Sequence, residues 1–253
     1  MALTDIRFCN DQAFLHKRHT MTSVELERQI ATIDYQGVYS RYKHIKDENN
    51  VEREKFPPIN YAFFAYVFGH AKVPDTVELQ EIYFEMYKNA FAKMDGERIR
   101  YNDRLYSLFA LRGRILRTYP SLVRDFHFFL LLREDGSFEE VVYSCKNDIN
   151  GRDIIIRHEG REHEVSLFIE TSRSLFFKEM KNRYRHEYGR DEIRVPLNLN
   201  RAARCGDFRL YGKNDVLTVK AAVCGADCGG KSEQAVNTYA NFPDASGKLA
   251  LST

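Results

Sequence analysis

The alternation of apolar and polar positions along the chain begins with helical spacing. Thr22-Ser-Val-Glu25 has the form of a capping box, and Leu26, Ile30 and Ile33 follow at intervals of three and four. The polar stretch Lys46 to Lys55 predicts a loop that closes at Pro57-Pro58, and Asn60 to Phe68 is short and aromatic-rich. Pro74-Asp75 followed by Glu78 signals another helix start, after which Leu79, Ile82, Tyr83, Met86 and Ala90 keep one face apolar. Residues 1–98 therefore read as a helical region.

Asn102 is expected to begin a further helix, with Leu105, Leu108, Phe109, Ile115 and Leu116 on its buried side. Arg104, Arg112, Arg114 and Arg117 supply its polar side, and Pro120-Ser121 ends it. The period then changes. Phe126 to Leu132 predicts a buried strand, Asp135-Gly136 a turn, and Phe138 to Ser144 a second strand that completes a hairpin. Asn147 to Gly151 has loop chemistry, Asp153-Ile-Ile-Ile156 reads as a strand, and His158-Glu-Gly160 turns the chain. Val165, Leu167 and Ile169 alternate on the returning strand. Ser172 then opens a basic helix running through about Tyr188, and further strands are expected at Glu192–Leu199, Asp207–Tyr211 and Val216–Ala222. From Cys224 to Thr253 the chain is rich in Gly, Ala and Ser, with little to bury, which predicts a flexible tail.

The expected architecture is α+β. A helical N-terminal region (1–98) precedes a core (99–223) in which helices flank a mixed, largely antiparallel sheet, and a tail (224–253) follows.

Composition narrows the function classes. The chain has 253 residues, of which 43% are hydrophobic and 29% charged, enough for a packed core under a charged surface. No apolar run approaches the roughly 20 residues that span a bilayer, and the first residues lack the apolar segment of a secretory signal. Five scattered cysteines, an odd number, suit a reducing compartment better than a disulfide framework, so the cytoplasm is the expected location. There is no phosphate-binding Walker loop, no GxGxxG after a strand and no GxSxG. Cys224-x3-Cys228 with Cys205 is a poor zinc pattern, since no second close pair exists. His127, alternating with apolar neighbours, reads as a core or sheet-face histidine.

The net charge of +2 does not itself imply a polyanionic partner, but its distribution is uneven. Arg173, Lys178, Lys181, Arg183, Arg185 and Arg190 crowd the predicted basic helix, with Tyr184 and Tyr188 among them. Such a local excess suits contact with a phosphate backbone; the competing reading is a solvated face balanced by Glu179, Glu187 and Asp191. Arg112 and Arg117 on the preceding helix are further candidates for nucleic acid, or for ion pairs that tie that helix to the sheet.

Two carboxylates stand at informative places. Asp153, in Gly151-Arg-Asp-Ile-Ile-Ile, opens one strand, and Glu170, in Leu167-Phe-Ile-Glu-Thr-Ser, closes its neighbour. With the order helix, β-meander, helix, β, this resembles the restriction-endonuclease-like, or PD-(D/E)XK phosphodiesterase, superfamily over roughly Asn102 to Tyr211. The resemblance implies a metal-dependent nuclease cutting DNA, with Asp153 and Glu170 holding Mg²⁺ or Mn²⁺ and Asp148 as a substitute or additional ligand. In that family a lysine follows the second acidic residue by two positions. Ser172 stands there in this chain, and Lys178 or Lys181 on the following helix would have to supply the amine. The chemistry has a physical basis of its own: a divalent cation offsets charge on the scissile phosphate and acidifies an attacking water, and hard Mg²⁺ needs only one or two carboxylates.

Each residue also has a plainer reading. Asp153 serves equally as a polar residue at a strand start, and Glu170-Thr-Ser as the polar cluster before a helix capped by Thr171 or Ser172. The alternative function is accordingly a non-catalytic nucleic-acid-binding or complex-assembly module of the same fold. In either case the helical N-terminal region is the expected contact for a protein partner.

Overall fold

The computed structural model of the chain describes residues 21–43, 49–94, 96–143, 153–171 and 192–225. The expected loop at Asn147 to Gly151, the basic helix from Ser172 to Tyr188 and the tail beyond Gly225 lie outside the described residues.

Five helices come first: α1 (Ser23–Ile30), α2 (Tyr35–Ser40), α3 (Asn49–Arg53), α4 (Ile59–His70) and α5 (Thr76–Met86). The two capping signals form as the sequence predicts. Thr22 accepts from the Glu25 N–H while the Glu25 carboxylate accepts from the Thr22 N–H at 2.8 Å, and Asp75 and Glu78 make the same reciprocal pair ahead of α5. Asn49–Arg53 is helical within the stretch expected to be loop.

The helix expected from Asn102 does not start there. An antiparallel sheet of β1 (Ala92–Met94), β2 (Arg98–Tyr101) and β3 (Arg104–Ser107) occupies this region. Tyr101 pairs with Arg104 across a two-residue turn, Asn102-Asp103, whose φ values of 46° and 60° are both left-handed. That is the backbone of a type I′ hairpin, which Asn and Asp tolerate better than other side chains. The helix, α6 (Leu108–Asp135), starts six residues later, where the Ser107 hydroxyl accepts from the Ala110 N–H at 3.2 Å.

At 28 residues, α6 is the central element, and it corrects a second expectation. It runs through Pro120 rather than ending there, and Phe126 to Leu132 is helical rather than a strand. Phe126, His127, Phe128, Phe129, Leu130 and Leu132 are all buried because other elements surround this half of the helix. α1, α4 and α5 pack on α6, as do β4 (Glu140–Val142), β9 (Phe208–Leu210) and α7 (Lys213–Gly225). A helix covered all round loses its polar stripe, and a short continuous apolar run then looks like a buried strand.

The main sheet has the order β4-β5-β6-β7, with β5 (Ile154–His158), β6 (Arg161–Ile169) and β7 (Glu192–Leu197). The partner of β4 is therefore β5, with Val141 opposite Ile156, instead of the Phe126–Leu132 segment. The turn between β5 and β6 falls at Glu159-Gly160, where the sequence expects it, with φ values of 50° and 72°. β6 and β7 are parallel, which requires the chain between them to cross over. Ile154, Ile155 and Ile156 are all buried, so the sheet is covered on both faces at its centre. β8 (Ala203–Cys205) pairs with β9 as a separate ribbon. The strand expected at Val216–Ala222 is part of α7 instead: Val216, Val219 and Val223 are its buried positions, a helical spacing.

A single hydrophobic cluster takes in Leu26, Phe64, Tyr83, Phe126, Ile156, Val195 and Val219, so the helical layer and the sheet share one core. Among the described residues no helix is long and apolar enough to cross a membrane.

His127 lies inside this core at 2% exposure, with Nε2 2.9 Å from Glu27 Oε1 and Nδ1 without a hydrogen-bond partner. Burial pulls its pKa below the ordinary histidine range, and the Glu27 hydrogen bond opposes that. Between the folded value and the unfolded value of about 6.5, the unfolded chain binds the extra proton. Stability is therefore complete above that window and falls as pH drops through it, by at most about 1.4 kcal/mol per pH unit. Thermal unfolding at pH 7.5 and 5.5 should show a lower Tm at the acid pH, and His127→Leu should reduce the difference. An unchanged pH dependence in the variant would remove His127 as its source.

Candidate functional site

The strand directions bring the two carboxylates to one end of the main sheet. Asp153 precedes β5, Glu170 follows β6, and β5 and β6 are antiparallel, so the start of one meets the end of the other. The end of β7 joins them because β6 and β7 are parallel. Ligand sites in open sheets of this kind form beyond the carboxyl ends of strands.

Asp153 stands one residue beyond the last printed pair, Ile154 opposite Val165, which puts it level with Ser166. Its Oδ2 accepts from the Leu167 N–H at 2.6 Å, so the side chain continues the sheet's hydrogen bonding where the β5 backbone leaves off. Glu170 extends the other ladder: its N–H donates to Leu197 O at 2.9 Å. Its Oε2 accepts from Asn198 Nδ2 at 3.0 Å, and the residue is exposed. By register, Glu170 lies four residues past the position level with Asp153, roughly 13 Å along a strand that rises about 3.3 Å per residue.

That spacing tests the donor set. Mg²⁺ binds oxygen at about 2.0–2.1 Å in near-octahedral geometry and keeps several waters. Asp153 fits such an ion as its single carboxylate, whereas Glu170 is set too far along the strand to share the ion in this register. Among the described residues no group of three or more His, Cys, Asp and Glu side chains could hold a metal. Asp148, Lys178, Lys181, Arg173, Arg183 and Arg185 lie outside the described residues.

Behind the sheet end sits a cluster that hydrophobic patterning does not single out. Tyr211 is buried, with its hydroxyl 3.4 Å from Phe168 O and 3.3 Å from Val195 O, which ties β6 to β7. Burial holds that hydroxyl well above the usual tyrosine range; Asp125, Asp153 and Asp215 reinforce the shift, and Arg124 opposes it. Arg124 on α6 is itself buried, with Nε 3.7 Å from Asp125 Oδ1. These charges link α6 to the Asp153 end of the sheet. The usable signal was the Arg124-Asp125 pair within an otherwise apolar stretch.

Arg112 and Arg117 belong to the helical layer. Arg117 is ion-paired with Glu52 on α3 and is only 19% exposed. The Arg112 guanidinium lies 5.9 Å from the ring centroid of Phe84 on α5. The cysteines do not form a zinc pair: Cys205 Sγ donates to Glu27 O at 3.2 Å, Cys224 Sγ is 3.9 Å from His158 Nε2, and Cys228 lies outside the described residues.

Comparison with protein-family models, with curated proteins and with solved structures finds no match to this chain.

Proposed function

We propose that the chain is a metal-dependent nuclease acting on DNA, with Asp153 as the principal metal ligand. The observation that carries this reading is the convergence of Asp153, Glu170 and Asn198 on one end of a mixed sheet, at the point where the chain leaves β6 for β7. The order α6, three antiparallel strands, crossover, parallel strand is also the order on which the restriction-endonuclease-like resemblance rests.

In this reading Asp153 holds Mg²⁺ or Mn²⁺, assisted by Asp148; the ion, when bound, offsets phosphate charge and acidifies a water. The Leu167 N–H fixes the Asp153 carboxylate against the sheet and leaves its other oxygen to face the ion. Glu170, steadied by Asn198, orients water or substrate at the same sheet end. Lys178 or Lys181 supplies the amine, and Arg173, Arg183 and Arg185 on the crossover between β6 and β7 meet the DNA backbone. The helical layer makes contact with a partner protein.

One observation favours the second reading, a non-catalytic nucleic-acid-binding module. Both carboxylates already have sheet-terminating hydrogen bonds, to Leu167 and Asn198, and Ser172 holds the position of the family's lysine.

The test is cleavage of plasmid, linear and single-stranded DNA with Mg²⁺ or Mn²⁺, comparing the wild type with Asp153→Asn. Asparagine keeps an oxygen to accept from Leu167 and loses the charge, so the sheet end should survive. Metal-dependent cutting that falls at least about 100-fold supports the nuclease and its site together. Cutting at the wild-type rate in the variant discards the site. Salt-sensitive DNA binding without cutting selects the non-catalytic module.

A further inference from the structure

A cavity of about 700 Å³ opens in the helical layer between α2, α5, β2 and α6. Gln80, at 4% exposure, forms part of its wall. Its amide Nε2 donates to Thr76 O at 2.8 Å, which fixes the amide, yet Oε1 is buried with no hydrogen-bond partner. Arg112 lines the same cavity, and its Nε is also buried with no partner. Buried polar groups are nearly always paired, because leaving one unmade forfeits its hydration. Here an orphaned acceptor and an orphaned donor line one space.

The remaining lining narrows what would satisfy them. Phe84 and Phe91, with ring centroids 5.8 Å apart, give the cavity an aromatic wall. At the rim Lys88 is paired with Glu85 at 2.6 Å, whereas Arg41 has no ion pair among the described residues. An adjoining cavity of about 710 Å³ shares Tyr42 and Arg112 with the first and is lined by Arg98, again without an ion pair among the described residues. The site thus asks for a flat ring with a neighbouring donor and acceptor on one edge and an anionic group attached.

We propose that this cavity binds a nucleotide, its base edge hydrogen-bonded by Gln80 Oε1 and Arg112 Nε, its ring against the aromatic wall, and its phosphate met by Arg41. Every nucleobase presents adjacent donors and acceptors, so the pair selects the class and not the base. The same chemistry is offered by a free mononucleotide and by a base turned out of a nucleic-acid strand, stacked on aromatic rings. The inference shares no residue with the Asp153 site and does not depend on it.

Calorimetric titration of the full chain with AMP, GMP, CMP, UMP, adenosine and a single-stranded DNA 12-mer, without divalent metal, tests it. Saturable binding below about 1 mM is expected, weakened at least about tenfold by Gln80→Leu and by Arg112→Met. Arg41→Ala should weaken AMP and leave adenosine unchanged. Mononucleotide binding identifies the free ligand; binding of the 12-mer alone identifies a strand. Without ligand, Gln80→Leu should keep or raise the Tm, since it removes an unmade acceptor; if that variant fails to fold, Arg112→Met carries the comparison. Absence of saturable binding to any of these probes overturns the proposal, as does binding that both variants leave intact. Asp153→Asn should bind as the wild type does, so loss of the nuclease reading would leave this result standing.

Discussion

Phe126→Ala should cost the chain about 3–5 kcal/mol of stability, the range for removing a buried phenyl ring from a well-packed core. The side chain is fully buried, and its ring centroid lies 6.4, 5.8 and 5.8 Å from those of Phe63, Phe64 and Phe68 on α4 and 6.0 Å from that of Phe129. All four distances fall where aromatic pairs attract beyond simple burial. Deleting the ring therefore leaves a cavity and loosens the junction between α4 and the middle of α6 together. A typical domain has only about 5–15 kcal/mol in total, so the variant should unfold at a much lower urea concentration with its m-value unchanged. Phe126→Leu, which refills most of the volume, should recover more than half of the loss. A loss below about 1 kcal/mol would show that this ring is not at the centre of the packing.

Arg114→Met should cost about 2–4 kcal/mol, for a different reason. Arg114 Nη1 donates to Val51 O at 2.5 Å and to Glu54 O at 2.8 Å, and the guanidinium sits 5.5 Å from the Phe56 ring centroid. Burial pulls the pKa of the group down, with Tyr83 and Glu54 opposing, but an arginine starts so high that it stays charged. One side chain thus holds the short helix α3 and the segment after it against α6. Methionine fills much of the space and leaves the two carbonyls without their donor. Arg114→Lys should restore only part of the stability, because an ammonium is a compact charge without the planar fork. Proteolysis after residues 50–56 should accelerate in Arg114→Met; equal stability of the Lys variant and the wild type would show that charge alone suffices.

Where the structure agrees with the sequence, the determining contacts are short in range. Thr22 and Glu25, and Asp75 and Glu78, find each other three residues apart, so both capping boxes are legible. Glu159-Gly160 turns β5 into β6 through its own backbone preference, and the β6 and β7 strands follow from their composition. Asn102-Asp103 was equally local, but its turn chemistry was overridden in the reading by the helical spacing of Leu105, Leu108 and Phe109. Two of these, Leu105 and Phe109, are in fact exposed.

The candidate site divides in the same way. That Asp153 begins a strand and Glu170 ends the next was readable, because it needs only one hairpin. Their offset of four residues depends on the register that β5 and β6 adopt within a four-stranded sheet, and the anchoring of Glu170 depends on Asn198, 28 residues away. The orphaned polar pair Gln80 and Arg112 has no sequence signature, since being unpartnered is a property of everything around a residue.

By itself, then, the sequence determined the α+β class, the two capped helix starts, the β5–β6 hairpin and the identity of the carboxylates at its open end. Each rests on backbone propensity or on partners a few residues apart. Only the tertiary structure decided that Phe126 to Leu132 and Val216 to Ala222 are helical, that β4 pairs with β5, and how far Asp153 stands from Glu170. Periodicity reports which face of an element is dry, and a segment surrounded by α1, α4, α5 and the sheet has no wet face to report.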